Sequence, residues 1–550
     1  MADIKTHLNN IKGALYGKDV RGSIHDGIDT INKEIENTTS RQVDLENTFD
    51  QLVINAGNSN AEIVDARVKS DGTSYSKLGD RLNEVDSQLA HMAYKPYTWE
   101  EFIDGVSKGI KVFEFVRGIE YDANNSVEID YGDVVINCNS CTINVNCGNV
   151  FDLKGDNITL SNCNLVNKNS TVYGININGN FCNVSNVKGY NIKYSLIMNN
   201  GEYNNISNVD AIECGWDCVS NYASAKNGII RDCRAIRTGR HGFSTDTGAE
   251  NIKFINCYCE DIGTIESEGH TSLHFEGSVN CQFIDCTIKY TKNHLSNNKD
   301  IKGILIGLRN ELSIGCSAKN IQIIIDEDFN PLNNFFFIYN QGANLYIEGL
   351  RVFNKSNYLT FGYLGKGILN VFNFEIEGNV KFRQVSSNGC LKSLVNGIIN
   401  LPNKVEPFYE SQYGNDGLYV DNIRVDGGAN VFDGRYMNCI IKNSYFKNCV
   451  SPIRLWQSSA NSTEKSYNNV FDSNNIENVD VGVTGGWYSN TQNNIVSNCT
   501  FKGTIPIIYK SAGGSVIWLG NKKQSLTYTT LTEGGTLVES NTDGLISDSI

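Results

Sequence analysis

Apolar residues near the N-terminus recur at alternating steps of three and four. Ile4, Leu8, Ile11 and Leu15 form a first run. After "YGKDVRGS" the alternation resumes at Ile24, Ile28, Ile31, Ile35, Thr38, Gln42, Leu45, Phe49 and Leu52. A third run is Tyr75, Leu78, Leu82, Val85, Leu89 and Met92. Such a heptad seam predicts helices that bury one stripe against partners. Ser23, with Asp26 three residues on, predicts the N-cap of the second run. Ile at both seam positions favours three or more strands, and Thr38 and Gln42 are polar seam positions that can fix register. A coiled coil and a helical bundle folded back within one chain both satisfy the pattern, because "NAGNSNAEIVDARVKSDGTS" interrupts it.

From about residue 97 the pattern changes. "TWEEFIDGVSKG" predicts one short helix, and short runs rich in Val, Ile, Asn, Gly and Cys follow. One phrase then repeats: "LSNCNL", "VSNVKG", "ISNVDA", "IRDCRA", "FINCYC" and "FIDCTI". Its polar marks are Asn162, Asn186, Asn208, Asp232, Asn256 and Asp285, at intervals of 24, 22, 24, 24 and 29. Similar phrases return as "YVDNIRV", "IIKNSYF" and "IVSNCTF". This predicts a mainly β fold, a right-handed parallel β-helix of about 22–25 residues per coil. A leucine-rich repeat would need a Leu-x-x-Leu-x-Leu signature that is missing, and sandwich strands have no reason to repeat one phrase at one spacing. Three regions are expected: a helical region over 1–95, the β-helix over 96–505 with its helical cap at 96–112, and a terminal β cap over 506–550.

Composition narrows the function. The formal net charge is −14, which argues against nucleic acid as a partner. The 17 cysteines are scattered and lack zinc-ligand spacing, so they read as reduced core residues, with no metal and no cofactor expected. No stretch is apolar enough to insert in a membrane, and the first residues lack a signal-peptide apolar region, so synthesis in a cytoplasm is expected.

Candidate chemistry comes from aligning neighbouring coils. "NVDAIECGWDCVS" and "DCRAIRTGRHGFS" align without a gap from Asn208 and Asp232. Ala211 falls on Ala235, Gly215 on Gly239, Ser220 on Ser244, Trp216 on Arg240 and Asp217 on His241. Equivalent positions on successive coils lie about 4.8 Å apart. The next coil carries an insertion within "TIESEGHT", bringing Glu266, Glu268 and His270 beside the same column. Asp217, His241, Asp246, Glu266, Glu268 and His270 are therefore the candidate acid–base groups, since paired carboxylates and an imidazole can cleave glycosidic bonds. Trp216, Arg240, His274, Glu276, Trp487 and Tyr488 are the candidate sugar contacts, with Arg240 over Trp216 as a cation–π pair.

Three segments carry resemblances. "NAEIVDARVKSDGTSYSKLGDRL", after a helical N-terminus, resembles the attachment regions of tail or baseplate proteins of phages of Gram-positive bacteria. The remainder resembles the pectate-lyase-like β-helix superfamily, as found in phage tail spikes. "WDCVS" and "GRHGFS" resemble the Asp-Asp-Cys and Gly-His-Gly segments of polygalacturonase-type hydrolases. Asp217 matches the second Asp and His241 the His, while Trp216 replaces the first Asp and Arg240 the first Gly. The resemblances imply a homotrimeric virion appendage, docked on tail or baseplate proteins through residues 1–95 and facing host surface polysaccharide. A polysaccharide depolymerase on the same scaffold and a purely structural baseplate component are the alternatives.

Overall fold

The computed structural model describes residues 18–56, 80 and 93–548, apart from 168–172, 223, 265–269, 295–299, 307–312, 342–343, 403–405, 456–465, 486–492, 511–514, 534–535 and 540–546. The chain divides into two units, Met1–Ala93 and Tyr94–Ile550.

In the first unit, helix α1 spans Lys18–Ala56, 39 residues. It begins before Ser23, so Ser23 is a position inside the helix and not its N-cap, contrary to the sequence expectation. Helix propagation is cooperative, and a helix this long tolerates Gly22 and Gly27 at a cost of about 1 kcal/mol each. Among the described residues nothing covers its seam: Ile24, Ile31, Ile35, Leu45 and Phe49 are 45%, 54%, 49%, 73% and 67% exposed. The first apolar run lies outside the described residues. So does the third, apart from its neighbour Asp80, which is helical.

The second unit is a right-handed parallel β-helix. Helix α2, Trp99–Ser107, opens it. Thr98 caps α2 by accepting from the Glu101 amide at 3.1 Å. Trp99 and Phe102 are buried against Phe113, Phe115 and Phe151, so α2 covers the first coils of the core. Every strand pair that follows is parallel, and each coil registers on the next. One column carries the site, with strands β1 (Tyr173–Ile177), β2 (Ile197–Asn199), β3 (Val219–Asn221), β4 (His241–Thr245), β5 (His270–Phe275), β6 (Ile301–Ile306) and β7 (Phe335–Gln341). Val219, Phe243, Leu273, Ile304 and Ile338 stack in register along it and are fully buried in the core. Beyond residue 505 the columns continue: Ile507–Lys510 pairs in parallel with Val481–Thr484 and with Thr530–Glu533.

The repeated polar marks have a conformational cause. Asn162, Asn186, Asn208, Asp232, Asn256 and Asp285 all adopt a left-handed backbone, with φ between 53° and 59°. Asn422, Asn443 and Asn498, from the later phrases, do the same. Asn and Asp enter this region at lower cost than other non-glycine residues. Their side chains also join the coils: Asn186 Nδ2 donates to Asn162 Oδ1 at 3.1 Å, and Asn256 Nδ2 to Asp232 Oδ1 at 2.7 Å. Asn256→Ala should therefore cost about 2 kcal/mol, the sum of backbone strain and a lost hydrogen bond. Asn256→Gly, which relieves the strain, should cost less in the same denaturant titration. The cysteines form no disulfide: all 17 are free, and all but the half-buried Cys390 are buried.

Candidate functional site

The coil alignment read from sequence is the register of the fold. Ala211 pairs with Ala235, Ile212 with Ile236 and Ser220 with Ser244. Asp217 accordingly sits against His241, but through the backbone: the His241 amide donates to Asp217 Oδ1 at 3.1 Å. Arg240 Nε and Nη2 grip the two carboxylate oxygens at 3.1 and 3.0 Å, and the Ser220 and Ser244 hydroxyls donate to Oδ2 at 2.7 and 2.6 Å. Asp217 is fully buried. Burial alone would raise its carboxyl, but the Arg240 charge and these hydrogen bonds win and hold it below the ordinary carboxylate range. A carboxylate so occupied has no lone pair left for substrate. Expected among the acid–base groups, Asp217 has the geometry of a positioning residue that anchors Arg240.

That anchor builds a platform. The Arg240 guanidinium lies 4.5 Å from the centre of the Trp216 ring. Trp216 packs on Tyr194 at 4.3 Å and meets Tyr173 edge-on at 6.2 Å. Trp216, Tyr194, Tyr173 and Arg240 are each half-buried. Two tyrosines on the preceding coils thus extend the platform; the sequence reading missed them because they lie outside the two aligned phrases.

Next to the platform lies a cluster of ionisable groups. The His241 and His274 rings stack at 4.1 Å, tilted by 45°. His274 Nε2 lies 3.2 Å from Glu276 Oε2. Asp246 joins them: one donor atom each from Asp246, His274 and Glu276 fall within 4.8 Å of one another, so these are the residues that could share a cation. Burial, with help from the negative Asp217 and Glu276, pushes Asp246 up to about 6, against the opposing pull of His274 and Arg240. Of the remaining candidates, Glu266, Glu268, Trp487 and Tyr488 lie outside the described residues, and His270 is placed only by its backbone, at the start of β5.

Two concave surfaces lie elsewhere on the solenoid. One, of about 550 Å³, is lined by Phe353, Lys355, Glu377, Asn379, Pro402 and Asp426 among others. Another, of about 480 Å³, has Arg351, Glu375, Arg424 and Tyr445 in its wall. Neither contains the charged cluster.

No family model matches the chain, and no curated protein matches it. Solved structures similar to it include the A-module of mannuronan C-5 epimerase AlgE6 from Azotobacter vinelandii, 11% identical over 72% of this chain and 86% of that one, with a TM-score of 0.26. A variant of the PL6 family alginate lyase AlyGC is 10% identical over 83% of this chain and 99% of that one, with a TM-score of 0.20. PfbA, a surface adhesin of Streptococcus pneumoniae, is 11% identical over 74% and 87%, with a TM-score of 0.23. At these identities and scores the similarity assigns no role to any residue of this site.

Proposed function

We propose that this chain is the receptor-binding spike of a phage tail. It forms a homotrimer, docks on tail or baseplate proteins through residues 1–95, and grips host surface polysaccharide with the outward face of its β-helix. The observation that carries the reading is the Tyr173–Tyr194–Trp216 platform with Arg240 locked over it by a buried carboxylate. Sugar rings present C–H faces that stack on aromatic rings and hydroxyls that accept from a fixed guanidinium. An arginine held this rigidly loses little freedom on binding, which is what a receptor site needs. Walls isolated from the host should capture the purified protein, and walls stripped of their polysaccharide should not. Equal capture by both would contradict the reading.

The seam of α1 supports the trimer. Five large apolar residues facing solvent on one stripe require partner helices. The full chain should sediment as a trimer, and Ile31→Asp, placing a charge in the seam, should shift it toward monomer. A wild-type monomer would contradict the assembly.

A second reading, cleavage of the bound polysaccharide, is favoured by one arrangement. Asp246, held protonatable near neutral pH, stands beside the His274–Glu276 pair. Release of new reducing ends from the wall polysaccharide separates a cleaving spike from a purely binding one.

A further inference from the structure

One corner of the solenoid breaks its own rule. Asn157, Phe181, Tyr203, Asn227, Asn251 and Asn280 hold one position on successive coils, since the backbone amide of each donates to the carbonyl just before the next. All six are left-handed, with φ between 53° and 59°. Asn suits such a position, and Asn251 Nδ2 donates to Asn227 Oδ1 at 3.0 Å, joining the coils. Phe181 and Tyr203 are bulky side chains on a backbone that bulky residues rarely adopt, and neither has the amide that joins coils. Burial does not compensate them: Phe181 is 56% and Tyr203 51% exposed. Their rings stack on each other, 5.1 Å apart and within 4° of parallel. One exposed stack contributes less than two strained backbones and two missing amide bonds cost. A fold that gives up stability at two successive coils holds those residues for a contact outside the coil.

The apolar surface continues along the axis. Ile229, on the coil after Tyr203, is 41% exposed, and Ile314, three coils further, is 62% exposed. The bridges from Lys226 through Glu250 and Val279 to Ile314 carry the corner from coil to coil. Lys226 and Glu250 pair at 3.8 Å beside the stripe. An apolar centre with a polar border has the composition of a protein contact. The stripe lies at the far end of the site's sheet from the aromatic platform, since Tyr194 precedes β2 and Tyr203 follows it. We infer that this stripe docks the β-helix of one protomer on that of its neighbour. The inference rests on the trimer reading and adds which face of the body is shared. A stripe along the axis of a rod fits a second rod laid beside it. Half-exposed side chains of this size offer on the order of 100 Å² each, so the four supply about half of the roughly 800 Å² per partner that a free-standing complex buries. Only a partner already held nearby docks on so little. The α1 seam supplies that hold for copies of this chain, keeping them at an effective concentration on the order of 1 mM. A free protein or a polymer has no such tether. Each ring also turns one face to the other, which leaves edges that side chains pack against and no open pair of faces for a sugar. In a closed ring of three the contact is heterologous, so the stripe meets a different face of the neighbour.

The test uses the full chain with photo-reactive benzoylphenylalanine in place of Tyr203, which links to any C–H group it touches. Sedimentation reports the assembly, and a denaturing gel reports the contact. The chain should sediment as a trimer, and illumination should join most of it into covalent dimers and trimers, with a yield unchanged by dilution. If that protein fails to fold, the same probe in place of Phe181 gives the reading. A trimer that links through neither position overturns the stripe and leaves the assembly standing. A monomer that still links as its concentration rises sinks the trimer reading, while the stripe stands as a contact between copies. A monomer that never links contradicts both. A probe that links instead to added wall polysaccharide makes the pair a sugar site and overturns the docking. One variant separates contact from scaffold. In the Ile31→Asp background, where no partner is held nearby, Phe181→Asn/Tyr203→Asn should raise the melting temperature of the β-helix by a few degrees, because the strain goes and the amide ladder is restored. A lower melting temperature would make the aromatic pair part of the scaffold and overturn the inference.

Discussion

Arg240→Met should destabilise the β-helix by about 3–5 kcal/mol, the loss expected when one partner of a buried ion pair is removed and the other stays behind. Asp217 would keep its serine and amide donors but lose the charge that makes its burial tolerable. The double variant Asp217→Asn/Arg240→Met, which removes both charges, should recover much of that loss. The pH dependence fixes the sign. Because the folded pKa of Asp217 is depressed, its contribution is complete above the unfolded carboxylate pKa of about 4 and fades as pH falls through the folded value. In Arg240→Met the same group gains a proton more readily. The stability gap between wild type and variant should therefore be widest near neutral pH and narrow in acid. Denaturant titrations at several pH values check both statements. A gap that widens in acid would mean that Asp217 is not the group left unpaired.

Trp216→Ala should cut affinity for wall polysaccharide about thirtyfold, or about 2 kcal/mol, the size of a central aromatic anchor in a binding surface. It removes the ring that Arg240 covers and that Tyr194 packs against, so the stacking face and the arginine's orientation are lost together. Stability should change far less, by about 1 kcal/mol, because Trp216 is half-buried on the outer face while the core stack of Val219, Phe243 and Leu273 is untouched. Tyr194→Ala should weaken binding in the same direction by a smaller factor.

Much of this architecture was legible in the sequence because its cause is local. The Asn and Asp marks repeat because each coil turns through a left-handed residue at the same point, and few side chains accept that backbone. A gap-free 24-residue spacing gave the pairing of Asp217 with His241 and of Trp216 with Arg240 directly. What the spacing could not give was the partner each side chain chooses. Stacking put the imidazole over Asp217 and the guanidinium one residue aside, over Trp216. The guanidinium, permanently charged and shaped for two parallel hydrogen bonds, took the carboxylate. The N-cap assigned to Ser23 failed because a glycine-containing stretch reads locally as a break, while helix continuity is decided over the whole 39 residues.

The central claim is that the outward face holding Trp216 and Arg240 is a polysaccharide-binding surface. Calorimetric titration of the full chain with purified wall polysaccharide from the host tests it most directly, with Trp216→Ala run beside the wild type. The account predicts saturable binding by the wild type and about thirtyfold weaker binding by Trp216→Ala. Undiminished binding by Trp216→Ala would place the glycan on another face of the solenoid and contradict the account.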